Sequence, residues 1–232
     1  MNSTEKIPKK IHYFWFGRKS HNKLIRNCIA SWKKYLPDYE IIEWNEDSYN
    51  IEKNEFTEKA FTEKKWAFLS DYARLDVLNE YGGIYLDTDM EVLKPLDDLL
   101  ENKLFMGMES EEHVNGSIIG SESQNWYIKE VLAEYNLLEQ YETIPKIMTR
   151  VLNRHCMVKN IEMHCRDLHI YPTEYFYPFG FEQNFTADCV TENTYTIHWW
   201  SNSWGDTHLK VLRKLGLLKI AVTIKKKLKL FF

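Results

Sequence analysis

Between residues 64 and 93 an apolar helical pattern is cut off by two consecutive glycines, and the chain resumes as a short strand pattern ending on two carboxylates. In "KKWAFLSDYARLDVLNEYGG", Trp66, Leu69, Ala73, Val77 and Tyr81 recur at helical spacing, and Gly82-Gly83 supplies the C-terminal stop. "IYLDTD" follows at once. A helix delivered straight into an apolar strand is a unit of α/β folds, and in open α/β sheets ligands sit beyond the carboxyl ends of the strands. Strand alternation predicts that Asp87 and Asp89 point to one side. Carboxylates held so close repel each other, which leaves three readings: a divalent cation between them, a basic partner, or solvated exposure at a strand end. Mg²⁺ is held by one or two carboxylates with phosphate oxygens completing its shell, and Mn²⁺ accepts similar ligands.

The flanking sequence extends the same architecture. "KKIHYFWFG" predicts a first strand closed by Gly17, residues 21–35 a helix, and "YEIIEWN" a second strand, which together suggest a βαβ unit. "LFMGME" and "GSIIGSE" predict two further strands, and 125–140 and 144–155 two helices. "HIYPTEYFYPF" is too rich in proline and aromatics for a helix; "TYTIHWW" predicts a late strand, "SNSWG" a loop, and the last 24 residues a helix. The expected fold class is α/β, with a mostly parallel sheet flanked by helices. The expected organisation is a catalytic domain over 1–206 and a basic amphipathic tail over 207–232.

That tail carries eight basic residues and no acid, leaving 22 basic against 34 acidic residues, net −12, in the rest of the 232-residue chain. The overall charge of −4 gives no reason to expect nucleic acid as a partner. Leu212, Leu215, Leu218 and Val222 share one side of a helix flanked by Lys210, Arg213 and Lys214, a pattern suited to an anionic membrane surface or to packing on the acidic body. Cys28, Cys156, Cys165 and Cys189 form no C-x-x-C and no disulfide framework, and "RHC" and "MHC" fit no zinc spacing. With no signal-peptide core at the N-terminus, the expectation is a reducing cytosol.

Asp71 and Arg74 lie three apart on the helix that runs into the acidic strand, so they share a face and either form a surface ion pair or line the same cleft. At this point "FLSDYARLDVLNEYGGIYLDTDMEVLKPLDDL" resembles the central motif of glycosyltransferase family 32, the capsular-polysaccharide and DXD sugar-binding group. It is also similar to the core of the large clostridial glucosylating toxins. "KIPKKIHYFWFG", "TIPKIMTRVL", "YPTEYFYP" and "IHWWSNSW" resemble further blocks of that family, with Ile144 where a glycine usually precedes Pro145; the resemblance spans about residues 6–204.

The resemblance implies a GT-A fold, Rossmann-like, binding a nucleotide-sugar, usually a UDP-sugar, with Mn²⁺ or Mg²⁺. Under it Asp89 holds the metal, Asp87 contacts ribose or sugar hydroxyls and is a second ligand, and His198 approaches the metal or diphosphate. Asp71 and Arg74 hold the transferred sugar and Ser70 the nucleoside. Trp15 flanks the uracil, and Asn202, Ser203 and Trp204 close over the β-phosphate. Read from sequence alone, Trp15 and His198 are equally compatible with core positions. The implied activity is retaining transfer to a glycan, often lipid-linked, in cell-surface polysaccharide synthesis. The implied location is the cytoplasm, at the inner face of the cell membrane. The competing readings are a protein-modifying transferase, an inactive nucleotide-sugar binder, and a dehalogenase-type phosphatase. The last conflicts with the position of the acids, which follow about 86 residues instead of a first strand.

Overall fold

The computed structural model describes residues 6–201. The elements in chain order are β1 (Lys10–Phe14), α1 (Lys23–Tyr35), β2 (Glu40–Trp44), α2 (Glu55–Thr62), α3 (Trp66–Tyr81), β3 (Gly83–Leu86) and β4 (Met90–Val92). They continue with β5 (Leu104–Met108), β6 (Val114–Ser121), α4 (Trp126–Tyr135), α5 (Ile144–Leu152), β7 (Met163–Cys165), β8 (Leu168–Tyr171), α6 (Thr173–Phe176) and β9 (Thr196–His198). The predicted order of helices and strands is thus observed. The additions are α2, β4, the β7–β8 hairpin and α6; the last corrects the expectation that "HIYPTEYFYPF" holds no helix, because Pro172 sits at the N-cap, ahead of the helical residues. The tail over 207–232 and the loop residues Asn202, Ser203 and Trp204 lie outside the described residues.

Seven strands form one sheet in the order β2-β1-β3-β6-β5-β8-β7, with β6 and β7 running against the other five. β4 and β9 pair separately as a small antiparallel ribbon, Met90 opposite His198. The carboxyl ends of β1, β3 and β5 therefore share one edge of the main sheet. The amino end of β6 lies between the last two, and the β4–β9 ribbon begins immediately beyond β3.

Local chemistry sets these boundaries. Asn22 caps α1 by accepting from the Ile25 N–H at 3.1 Å, and Ile25, Cys28 and Trp32 form the buried stripe of that helix. Asn54 and Thr57 form a reciprocal capping box at the start of α2, a signal readable in "NEFT". The helix α3 is buried on more than its apolar stripe: Ser70, Asp71 and Arg74 lie inside along with Leu69, Ala73, Leu75, Val77 and Leu78. Tyr81, assigned to that stripe by spacing, is instead 40% exposed, its ring stacked against Trp44 at 5.7 Å and His12 at 6.2 Å.

His12 ties three elements together. The Trp44 Nε1–H donates to its Nδ1 at 3.1 Å, so its Nε2–H donates to the Gly82 carbonyl at 2.9 Å. This knot joins β1, β2 and the end of α3 where the chain reverses. Burial pushes the His12 imidazole below its ordinary pKa, consistent with a neutral ring in that role.

Cys156 and Cys165 are joined by a disulfide, with Cα atoms 5.9 Å apart. It links the loop after α5 to β7 and corrects the expectation of four unbridged thiols. A nine-residue spacing carries no recognisable signature in sequence, and the bond forms because the hairpin β7–β8 returns to the end of α5. Cys28 and Cys189 are free.

The turn from α3 into β3 tolerates only glycine. Gly83 has φ +112°, and a Cβ there would stand 2.8 Å from the Lys10 carbonyl oxygen and 3.0 Å from His12 Nε2. Gly83→Ala is expected to lower the free energy of unfolding by about 2 kcal/mol or more through backbone strain and displacement of β1. Urea denaturation measures this, and an unchanged midpoint would show that the turn relaxes freely.

Candidate active site

A cavity of about 300 Å³ opens at the carboxyl edge of the sheet, lined by Phe14, Ala67, Ser70, Asp71, Arg74, Tyr85, Asp87, Thr88, Asp89, Phe181, His198 and Trp200. Five segments meet there: the end of β1, the first turns of α3, β3 with the β3–β4 turn, the loop after α6 and the end of β9.

Arg74 is the central cation. Its guanidinium reaches Asp71 at 2.7 Å, Asp87 at 3.2 Å and the Gly116 carbonyl at 2.8 Å, while Nε donates to the Ser70 carbonyl at 3.1 Å. It also lies over the Tyr85 ring, 4.4 Å from the centroid. Only 4% of the residue is exposed. The surface-ion-pair reading of Asp71–Arg74 is thereby excluded. A buried guanidinium with five polar and aromatic contacts is rigid, which suits it to fixing carboxylates in place.

The acidic motif is built differently from the alternation argument. β3 ends at Leu86, and residues 87–89 form a tight turn closed by the Met90 N–H on the Asp87 carbonyl at 2.9 Å. The turn brings the two side chains near one another. Asp87 accepts from the Tyr85 hydroxyl at 2.7 Å, and its own N–H donates to the Ser117 carbonyl at 2.8 Å. Asp89 is buried; one carboxylate oxygen lies 3.2 Å from His198 Nε2 and the other accepts the Ser201 N–H at 2.7 Å. Its main-chain carbonyl takes the Trp199 N–H at 3.0 Å.

Electrostatics follow from these contacts. Burial opposes ionisation of Asp89, but His198 and the Ser201 N–H outweigh it and hold the carboxyl well below the usual range. Burial likewise opposes protonation of His198, and Asp89, Asp87 and Glu109 overcome it and raise its pKa. Asp71 behaves oppositely: burial pushes it up to about 6, Arg74 pulls it down, and Asp87 adds to the rise.

Asp87, Asp89 and His198 offer ligand atoms that all lie within 4.8 Å of one another. They fit a divalent cation. His198 Nδ1 is buried with no hydrogen-bond partner, and two carboxylates with one imidazole suit Mn²⁺ better than the all-oxygen shell favoured by Mg²⁺. In the free protein the His198 proton pairs with Asp89; a cation would replace that proton.

Of the residues singled out in the sequence, Ser70, Asp71, Arg74, Asp87, Asp89 and His198 are brought together. Trp15 is not among the lining residues. It is 8% exposed, its ring meets His21 edge-on at 4.7 Å, and its Nε1–H donates to the Lys19 carbonyl. Phe14, the preceding residue on β1, faces the cavity instead. Tyr85, Phe181, Trp200 and Ser201 were missed. Tyr85 had a signal, because it stands two residues before Asp87 on the same strand face; Phe181 and Trp200 come from irregular chain and had none.

Residues 22–106 match the family described as "Glycosyltransferase sugar-binding region containing DXD motif", and residues 120–222 match "Alpha 1,4-glycosyltransferase conserved region". The chain is therefore similar to glycosyltransferase families over both of these stretches. Among its curated relatives, Lactosylceramide 4-alpha-galactosyltransferase of Mus musculus is 30% identical over 167 residues, covering 66% of this chain and 46% of that protein. Alpha-1,4-N-acetylglucosaminyltransferase of Homo sapiens is 26% identical over 135 residues, covering 53% and 38%. The chain thus spans less than half the length of those relatives. In solved structures, its fold is similar to that of the PaToxG glycosyltransferase, with a TM-score of 0.51 at 23% identity over 65% of this chain and 69% of that one. It is also similar to a glycosyltransferase involved in glycosylation of the PBCV-1 major capsid, with a TM-score of 0.50 at 12% identity over 81% and 92%. The GT-A fold expected from the sequence is therefore observed.

The expected cytoplasmic location at the inner membrane face is corrected. The relatives named above are animal enzymes, and the Cys156–Cys165 disulfide removes the thiol-based argument for a reducing compartment. Among the described residues no helix is long and apolar enough to cross a membrane.

The raised pKa of Asp71 has a measurable consequence. Its charged form is costlier in the folded protein than in the unfolded chain. That cost is absent near the ordinary value of 3.8, accumulates as pH rises, and is complete above about 6. Asp71→Asn does not titrate. In EDTA, the stability of wild type relative to Asp71→Asn is expected to fall on the order of 2 kcal/mol between pH 4 and pH 7. Denaturant melts at several pH values read it, and a flat difference would show that Asp71 ionises normally.

Proposed function

We propose that this protein is a metal-dependent, retaining hexosyltransferase that moves a sugar from a UDP-sugar to a glycan carried on a lipid, forming an α-1,4 link. The observation that carries the reading is the convergence of Asp87, Asp89 and His198 with the buried Arg74–Asp71 pair in one cavity at the carboxyl edge of the sheet. The relatives named above support the α-1,4 link, and the name of the first supports a glycolipid acceptor and galactose as the first donor sugar to try. A lipid-carried capsule, O-antigen or exopolysaccharide chain presents the same kind of acceptor.

The chemistry follows from the residues. Asp87, Asp89 and His198 would hold Mn²⁺ or Mg²⁺, which neutralises charge on the departing diphosphate. Asp71 and Arg74 sit deepest and present fixed acceptors and donors to hydroxyls of the transferred sugar. Arg74 keeps Asp71 and Asp87 at a constant separation through direct contacts to both, so the sugar is oriented without reorganisation of the site. Ser70, at the cavity wall, is placed for the nucleoside, and Phe14 rather than Trp15 is the aromatic side chain available to flank the base. The proposed closure by Asn202, Ser203 and Trp204 would extend from Ser201, which is held on Asp89.

Purified protein with UDP-galactose and Mn²⁺ is expected to release UDP and to yield an α-linked product, read by proton NMR of the new anomeric signal. Asp89→Ala should retain the fold by circular dichroism and lose roughly a thousandfold in turnover. Full turnover in EDTA would defeat the metal assignment, and a β-linked product would defeat retention.

A further inference from the structure

Glu109 is a half-buried carboxylate that the roles described so far leave unused. It follows β5 directly, and β5 runs in the same direction as β3, so Glu109 and Asp87 stand at the same edge of the sheet with the start of β6 between them. A register shift at Met106/Gly107 interrupts the β5–β6 ladder just before it. Such bulges re-aim the side chains that follow and are frequent beside active sites. Its backbone is then pinned, because the Glu109 N–H donates to the His113 carbonyl at 2.8 Å.

The side chain is asymmetrically satisfied. The Asn115 Nδ2–H donates to Glu109 Oε2. Asn115 Oδ1 in turn accepts both the N–H and the hydroxyl of Ser117, at 2.7 and 2.8 Å, and the Ser117 carbonyl accepts the Asp87 N–H. Asn115 and Ser117 are only 5% and 3% exposed. One oxygen of Glu109 is therefore fixed by a buried network that ends on the acidic turn. The other, Oε1, makes no hydrogen bond among the described residues. Burial raises the Glu109 pKa, with Asn115 and then His198 opposing the rise, so the carboxylate lies within electrostatic reach of the cation ligands. A carboxylate that is costly to bury and half free is retained where it meets a ligand.

Resting on the transferase reading above, we propose that Glu109 Oε1 accepts a hydrogen bond from a hydroxyl of the acceptor sugar and fixes which hydroxyl faces the donor carbon. The ligand class follows from the chemistry. An anionic oxygen repels the donor diphosphate and attracts a neutral polyol. A site built to accept from a hydroxyl also discriminates strongly against acceptors lacking it.

Glu109→Gln tests this with little change in shape. The new amide carbonyl still accepts from Asn115, but the other end becomes an NH₂ donor that cannot accept. With UDP-galactose, Mn²⁺ and p-nitrophenyl β-lactoside or β-galactoside as probes, the acceptor KM is expected to rise at least about tenfold, with the donor KM unchanged. The melting temperature should be equal or higher, since a buried charge has been removed. The deoxy acceptor lacking the bonded hydroxyl should be turned over equally by variant and wild type. An unchanged acceptor KM, a donor KM that rises with it, or a lowered melting temperature would overturn the assignment. Absence of any turnover by wild type with these probes would instead overturn the transferase reading on which it rests.

Discussion

Arg74 is the contact on which the rest of the site depends. Removing a guanidinium from water is expensive, and the cost is met here by two carboxylates, two carbonyls and a π face. The five partners come from four parts of the fold: Asp71 and Ser70 from α3, Gly116 from β6, Asp87 from the turn after β3, Tyr85 from β3 itself. The side chain therefore does more than neutralise charge. It dictates how closely α3 approaches the sheet, and it prevents the acidic turn from swinging into solvent. The two glycines before β3 serve the same end, since they let α3 and β3 fold back tightly enough for residue 74 to reach residue 87.

Two opposite electrostatic environments then coexist within one cavity. Asp89 is held ionised by His198 and a backbone N–H, whereas Asp71 is pushed towards neutrality by burial. The first is an environment for a cation. The second is an environment for hydroxyl groups, where a carboxyl can donate as well as accept. Separated proton affinities let a single pocket present an ionised carboxylate and a carboxyl closer to neutrality side by side.

Much of this was legible in the sequence because it is local. The helix–Gly-Gly–strand–Asp-x-Asp passage encodes its own geometry, and the spacing of Asp71 and Arg74 on one helical face placed both at the site. The strands β1, β2, β5, β6 and β9 were legible from apolar and β-branched runs. What escaped is non-local or irregular. Asp87 and Asp89 meet through a turn instead of strand alternation, a difference of one residue in where β3 stops. Phe14, rather than Trp15, lines the cavity from the end of β1, a question of register that pattern alone leaves open. The Cys156–Cys165 bridge depends on a hairpin of two short strands that no periodicity announces. Phe181 and Trp200 reach the cavity from chain without regular structure.

The β4–β9 ribbon gives the site a temporal dimension. His198 and Ser201 lie more than a hundred residues after Asp89, yet both bind its side chain. A nascent chain that has reached only β8 already possesses Arg74, Asp71 and the acidic turn, but its Asp89 has neither imidazole nor backbone N–H. Ribosomal synthesis therefore delivers the Asp87, Asp89 and His198 cluster in two instalments, complete only when the last strand of the described fold docks.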